Sequence, residues 1–397
     1  MEKNKFCIRP FNSINITTDG SIKVCCDARP EETEFTGQHR FNLKQNDIAD
    51  YWKSDYRQYL VDAFNKNKTP KECRICWEKE AVGSKSLREN SNFQYKVIGN
   101  KKAEEYLRLL GKEGLEHPED YNLDITNLCN LKCYMCSGTL SSKLLVENND
   151  LGFEKLNQQD YDYDDSRLDY LIEQIEKHNV THITLQGGEP LMNPKIIDLL
   201  RRISTKTELD DITIWITTNG TIHSNELQKL LSKFKKLKII FSIDGVDKVN
   251  NYLRFPSDFN VIKSNVEMFK ELHNASFMIN HTVQNFNLMY VKDMIDYANS
   301  IKVHCTLNIL EGPEYLHLSI LPENSKAKSL ERLSGIHRDQ LLHITNFDAL
   351  ISNIKQCIQV DKDAQIERFK QVVAKRDAYR KISLSDFIPE LAKDLNI

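Results

Sequence analysis

The chain has 397 residues, 40% of them hydrophobic and 28% charged, with a formal net charge of −3 at pH 7. That length allows two or three domains with separate cores, and the slightly acidic balance gives no general pull toward nucleic acid. No stretch approaches the roughly 18 apolar residues of a membrane span. The charged start, Met1 to Cys7, has no apolar segment behind it, so the sequence predicts no secretory signal and a cytoplasmic location. The ten cysteines are clustered, five of them before residue 80 and three between 129 and 136. In a reducing compartment such clusters point to metal or redox chemistry rather than disulfides.

Residues 1–92 read as a small cysteine-rich module. Asp19-Gly20 between the alternating segments 13–17 and 21–24 is a hairpin signal. One helix is predicted over 47–65, stopped by Thr69-Pro70. Cys7 before the hairpin, Cys25 at its end and the pair Cys73 and Cys76 after the helix can converge on one four-thiolate site. Cys26 is the alternative to Cys25, and a zinc ribbon is the competing structural reading. Residues 93–118 read as a linker with a short helix near 101–110. From 119 to 322 short apolar strands alternate with amphipathic helices, predicting an α/β fold with a parallel sheet. Strands are placed near 121–126, 182–186, 212–217, 238–243, 276–282 and 303–309, and six such right-handed units curl into an open barrel. Residues 323–397 form a helical C-terminal extension, with a long helix over 361–379.

The chemistry lies at the strand ends. Cys129, Cys133 and Cys136 follow the first strand in a C-x3-C-x2-C spacing, which can hold one face of a cluster and leave a coordination position open. The second strand ends in Gln186-Gly187-Gly188-Glu189-Pro190, where glycines admit close backbone approach and Glu189 can hold a cationic group. The third ends in Thr217-Thr218-Asn219-Gly220, and the fourth in Ser242-Ile243-Asp244-Gly245. Each alone is as readily an ordinary turn; their recurrence at successive carboxyl ends, where α/β barrels build active sites, is the signal.

This ordered set, over about 119–310, resembles the radical S-adenosylmethionine (radical SAM) superfamily. The resemblance implies a partial (β/α)6, TIM-like barrel in which Cys129, Cys133 and Cys136 bind three irons of a 4Fe-4S cluster. The fourth iron would take the amino and carboxylate groups of S-adenosylmethionine. Gly188 and Glu189 would then contact the methionine amino group, with Gly187 and Pro190 beside them in the cofactor site and Ser242 and Arg254 candidates for the carboxylate. Thr218, Asn219 and Asp244 are candidates for the ribose, and Met135 stands where many relatives pack an aromatic ring on the adenine. The amino-terminal module resembles the SPASM and twitch auxiliary-cluster domains through Cys7, Gly20, Cys25, Trp52 and Cys73-x2-Cys76. It implies a second iron–sulfur cluster of 4Fe-4S type, although such modules usually follow the barrel.

The implied activity is reductive cleavage of S-adenosylmethionine to a 5′-deoxyadenosyl radical, which abstracts hydrogen from a small molecule, sugar or peptide. A fully protein-ligated auxiliary cluster favours an oxidative outcome, a dehydrogenation or cross-link. The implied partner is a one-electron donor such as flavodoxin or ferredoxin. No leader-peptide-binding segment is expected at the amino terminus. Lys132, Tyr134, His281, Tyr315 and His317 are candidates to face substrate, although such residues are more often ordinary surface or packed positions, and Cys305 and Cys357 read as small buried residues. The competing function classes are a non-catalytic zinc-binding interaction protein and an RNA-modifying radical SAM enzyme.

Overall fold

The hairpin forms as its turn chemistry dictates. β1 (Ser13–Ile16) and β2 (Ser21–Lys23) pair antiparallel with Asn15 opposite Lys23. Gly20 has a φ of 90°, and a Cβ there would meet Asn42 Oδ1 at 2.6 Å, so the turn needs glycine for its conformation and its space. Asp19 accepts hydrogen bonds from the Ser21 amide and hydroxyl and fixes the same turn. β3 (Phe41–Asn42) adds antiparallel to β2. The helix predicted over 47–65 is two helices, Ile48–Trp52 and Asp55–Asn65. The break is a capping effect: the Ser54 hydroxyl accepts from the Arg57 amide and starts a new helix.

This computed structural model describes residues 5–81, 83, 85–97, 115–161, 165–178, 180–205, 212–356 and 362–397. All six predicted barrel strands are present: β4 (Asp120–Asp124), β5 (His182–Gln186), β6 (Thr213–Thr218), β7 (Lys236–Ser242), β8 (Ala275–Val283) and β9 (His304–Ile309). Helices occupy the intervals. Helix Asp165–Lys177 buries Leu168, Leu171, Ile172 and Ile175, the apolar stripe of an amphipathic helix. Helix Pro194–Ile203 starts at Asn193, whose side chain accepts from the Lys195 amide. The predicted linker helix at 101–110 lies outside the described residues, while a helix over Leu87–Val97 precedes it. The tail is helical as expected, with its longest helix at Lys362–Arg380. It also carries a short unforeseen strand, β10 (Ile344–Thr345), parallel to β9.

The chain divides into two compact units, one of residues 1–127, 158–215 and 234–236, the other of 128–157, 216–233 and 237–397. In the first, β1 pairs parallel with β4, and β4 with β5. The cysteine-rich segment therefore extends the sheet that begins with the first barrel strand, a pairing between residues a hundred apart that local pattern does not reveal. In the second, β7, β8, β9 and β10 run parallel in that order. The fold is mixed α/β with a mostly parallel sheet. Among the described residues no helix is long and apolar enough to cross a membrane.

Asp120, 1% exposed, ties β4 to its surroundings. Its Oδ2 accepts from Tyr95 Oη at 2.8 Å and Ser13 Oγ at 3.3 Å, and faces Arg9 Nη1 at 3.7 Å. Asp120→Ala leaves the buried Arg9 without its counter-charge and is expected to cost about 3 kcal/mol, read as a lowered midpoint in urea unfolding.

Candidate metal centres and cofactor site

In the second unit the loop after β4 gathers its three cysteines. Cys129 and Cys133 pack with Leu131 in one buried cluster, and Met135 and Cys136 lie against it. The loop is held by its backbone: the Lys132 amide donates to Phe255 O at 2.6 Å and the Tyr134 amide to Leu253 O at 2.9 Å. Ser141 Oγ donates to Leu131 O, and the Cys129 amide donates to Ser142 Oγ. Burial raises the Cys133 and Cys136 thiols above their ordinary range. A thiol so placed ionises when a metal takes up the charge, and three soft donors on one short loop suit an iron–sulfur cluster.

A cation stands beside these thiols. Arg254, 9% exposed, places Nη1 3.9 Å from Cys133 Sγ and pairs through Nε with Asp244 Oδ2 at 2.7 Å. Burial alone would weaken the guanidinium's hold on its proton, but Asp244 and Cys133 reverse this and its pKa is raised. Asp244 is fully buried; its Oδ1 accepts from the Thr282 amide and its carbonyl from Asn287 Nδ2. With both carboxylate oxygens engaged by the protein, it is arranged to hold Arg254. Asn219 is tied to the cysteine loop, its Nδ2 donating to Asn130 Oδ1 at 2.9 Å while its Oδ1 accepts from Thr221. Thr218 is buried and accepts from the Gly220 amide, and Ser242 is half-buried at the end of β7.

In the first unit Cys7, Cys25, Cys73 and Cys76 line one pocket, together with Arg9, Trp77 and Arg88. Cys26 is exposed and is absent from that lining. Burial pushes the Cys7 thiol up to about 12 and raises Cys25, Cys73 and Cys76. Among the described residues no three His, Cys, Asp or Glu side chains are grouped as for a single ion. Thiols set around a cavity suit a multi-atom cluster better than one zinc ion.

Also in the first unit, β5 ends in the glycine pair. Gly187 has a φ of 78°, and a Cβ there would lie 2.7 Å from the Asp124 Cβ; only glycine lets this strand end pass so close to β4. Glu189 is fully buried and accepts from the Leu191 amide, capping a short 3-10 turn that begins at Pro190. The remaining side chains singled out in the sequence take internal partners. Lys132 pairs with Glu147, Tyr134 bonds Tyr252, His281 Nδ1 meets Ile243 O, and His317 Nδ1 meets Ser319. Tyr315 is half-buried and its carbonyl accepts from Asn285, Cys305 is fully buried, and Cys357 lies outside the described residues.

Two features escaped the sequence. Glu147, fully buried, accepts from Arg380 at 2.7 Å and Arg376 at 3.2 Å and pairs with Lys132 at 3.2 Å, while Arg380 Nη2 also donates to Lys132 O. The C-terminal helix, to which the sequence assigns no chemistry, thus grips the cysteine loop. The second is Asp124 at the end of β4, 8% exposed. Its burial pushes the carboxyl from 3.8 up to about 7, against the weaker opposing effects of a bond from Gln186 and the more distant Lys23. The alternation Asp120, Asn122, Asp124 in a strand expected to be covered on both faces was the available signal.

Comparison with known proteins agrees with this chemistry. Residues 123–298 match the family model of the radical SAM superfamily, and residues 7–77 match that of the SPASM iron–sulfur cluster-binding domain. Among curated relatives, the GTP 3′,8-cyclase of Rhodopirellula baltica is 27% identical over 143 residues, 36% of this chain and 35% of that protein. The GTP 3′,8-cyclase of Clostridium perfringens is 23% identical over 260 residues, 63% of this chain and 70% of that protein. The chain spans about a third to a half of the first such relatives. Solved structures with some likeness include native anSMEcpe with bound AdoMet, at 21% identity and a TM-score of 0.42 over 59% of this chain and 65% of that one. Another is Streptococcus suis SuiB bound to S-adenosylmethionine, at 18% identity and a TM-score of 0.42 over 77% of this chain and 68% of that one.

Two outcomes follow from this geometry. In the reconstituted protein Cys25→Ser is expected to lose the iron held in the amino-terminal cavity, whereas Cys26→Ser retains it, as measured by iron per chain. For Asp124, the folded carboxyl holds its proton more tightly than the unfolded one, so its stabilising contribution is complete below about pH 4 and is lost as pH rises to about 7. Asp124→Asn, which cannot ionise, should therefore gain stability relative to the parent chain across that window, by on the order of a few kcal/mol, in urea unfolding at stepped pH.

Proposed function

Because this chain is a radical SAM superfamily protein with an iron–sulfur cluster-binding domain ahead of its radical SAM domain, we propose that it carries out an oxidative modification of a small substrate. S-adenosylmethionine and a 4Fe-4S cluster supply the 5′-deoxyadenosyl radical that removes a hydrogen atom, and an auxiliary iron–sulfur cluster provides a route for the electron that leaves the substrate. The proposed division keeps 1–92 as the auxiliary module, 93–118 as linker, 119–322 as the barrel and 323–397 as the helical extension.

The proposed roles rest on what each side chain does. Cys129, Cys133 and Cys136 hold the cluster that meets S-adenosylmethionine, and the backbone bonds to Leu253 and Phe255 fix their loop. Arg254, kept charged and oriented by Asp244, binds the methionine carboxylate with Ser242. Gly187, Gly188, Glu189 and Pro190 serve the amino group. Thr218 and Asn219 order the loop edge on the ribose side, and Met135 packs on the adenine. Cys7, Cys25, Cys73 and Cys76 ligate the auxiliary cluster. Its electrons pass to or from a one-electron donor of the flavodoxin or ferredoxin kind in a reducing cytoplasm.

The observation that carries this reading is the pair of separate thiol sites, three cysteines on one loop and four around one cavity. A single structural metal needs neither an incomplete donor set nor a second site. Similarity to proteins named GTP 3′,8-cyclase supports a second reading, with GTP as substrate. Anaerobically reconstituted protein with dithionite and S-adenosylmethionine is expected to form 5′-deoxyadenosine. Cys133→Ala should abolish that product while leaving the auxiliary iron, about four atoms per chain. A colourless, iron-free, zinc-loaded protein would overturn the proposal, and a cyclised product from GTP would select the second reading.

A further inference from the structure

The sheet of β2, β1, β4 and β5 has two unlike faces. One carries Ile14, Ile16, Tyr121, Leu123, Ile183 and Leu185, all buried. On the other, strand register sets Ser13 beside Asp120, Asn15 beside Asn122, and Asp120, Asn122 and Asp124 beside His182, Thr184 and Gln186, with Lys23 opposite Asn15. Parallel strands covered on both sides ordinarily carry apolar residues on both. Here one face is polar along its whole length.

That face divides into two halves. Toward the amino ends of β4 and β5 its polar groups are satisfied from within. Asp120 accepts from Tyr95 and Ser13, Gln94 Nε2 lies 3.3 Å from His182 Nδ1, and the His182 ring stands edge-on to Trp215. Toward the carboxyl ends they are not. Asn15 is fully buried, yet neither its amide nitrogen nor its oxygen has a hydrogen-bond partner among the described residues. Asn122, 6% exposed, makes among the described residues a long 3.5 Å bond to Asp120. Asp124 is buried with Gln186 as its bonded neighbour. A buried amide left unbonded is destabilising, and a ligand able to donate and accept would recover that loss.

We propose that this half-face, formed by Asn15, Asn122, Asp124, Gln186 and Lys23, is the recognition surface for a small polyhydroxylated or amino-hydroxylated substrate. The inference rests on the reading of this protein as a radical enzyme with a diffusible substrate, and gives that substrate a chemical class. The three carboxamides each offer a donor and an acceptor, the pairing that vicinal hydroxyls require. Asp124 accepts from a hydroxyl or, more strongly, from an ammonium group. The raised carboxyl of Asp124 agrees with a carboxylate whose cationic partner arrives with the ligand. Among the described residues Lys23 is the one cation that strand register places on this half-face, and a nucleoside triphosphate would call for several. The set holds no aromatic ring on which a base could stack.

The test is anaerobic titration calorimetry on the reconstituted protein with S-adenosylmethionine present, using myo-inositol, glucosamine, GTP and a glycine-rich hexapeptide as probes. Both polyols are expected to bind saturably. Asn15→Leu, which removes both amide atoms at similar volume, should weaken both by about tenfold or more. Asp124→Asn should weaken glucosamine by about tenfold and myo-inositol by less, a charge-selective split that a merely structural role would not produce. Iron content and far-ultraviolet circular dichroism verify folding of each variant, and Asn122→Leu replaces Asn15→Leu if the latter does not fold. Failure of both polyols to bind, binding of GTP or the peptide alone, or equal polyol affinity in all variants would overturn the proposal. Formation of 5′-deoxyadenosine by the parent protein, measured in parallel, separates the two ideas. With that product but no polyol binding, the surface assignment falls alone; with polyol binding but no product, the radical reading falls alone.

Discussion

Glu147 is one carboxylate with no exposure to water, and three cations converge on it: Arg380, Arg376 and Lys132. Two come from the C-terminal helix and one from the cysteine loop. An unpaired buried carboxylate would cost several kcal/mol, and so would each unpaired guanidinium, so the three segments stabilise one another. Arg380 extends the tie by donating to the Lys132 carbonyl, one residue from Cys133. The arginines also lie over the Tyr134 ring, at 4.8 Å for Arg380 and 5.2 Å for Arg376, while Tyr134 and Tyr252 bond Asp377 of the same helix. A loop that must present three thiols in fixed positions is thereby held from a helix some 240 residues further along the chain.

The same network sets the charge around the thiols. Thiolates in a buried place repel one another, and burial raises the pKa of Cys133 and of Cys136. Arg254 and Arg380 both act to lower that of Cys133. Cations placed this way favour the ionised ligands a cluster needs and bear on its reduction potential, which follows local charge and solvent access. Arg254 can do so without collapsing onto the thiols because Asp244 holds its other edge and is itself held by the Thr282 amide. Arg254 and Asp244 are thus each oriented by a further partner.

The amino-terminal module shows the same economy. Its hairpin joins β4 edge to edge, so the sheet that starts the barrel also supports the walls of the four-thiol cavity. This accounts for a module that precedes the barrel in sequence and still shares its framework. It also carries Asn15 and Lys23 onto the same sheet face as Asp124, so the strands that flank the auxiliary cavity contribute to what is proposed as substrate recognition.

The sequence by itself determined the local chemistry. The six strands, the hairpin at Gly20 and the helical tail were legible because period-2 and period-3.6 patterns and turn residues act over a few neighbours. The three-cysteine loop was legible because its thiols sit within eight positions. Tertiary structure decided what depends on distant segments meeting. It brought Cys7 and Cys25 to one cavity with Cys73 and Cys76 and set Cys26 apart. It engaged Asp244 with Arg254, and buried Arg376 and Arg380 of a helix to which the sequence assigned no chemistry. It also left Asn15 inside without a partner. A charged or amide side chain carries no local mark of whether water or protein will surround it. That is fixed by which elements pack over it, and packing is a property of the whole chain.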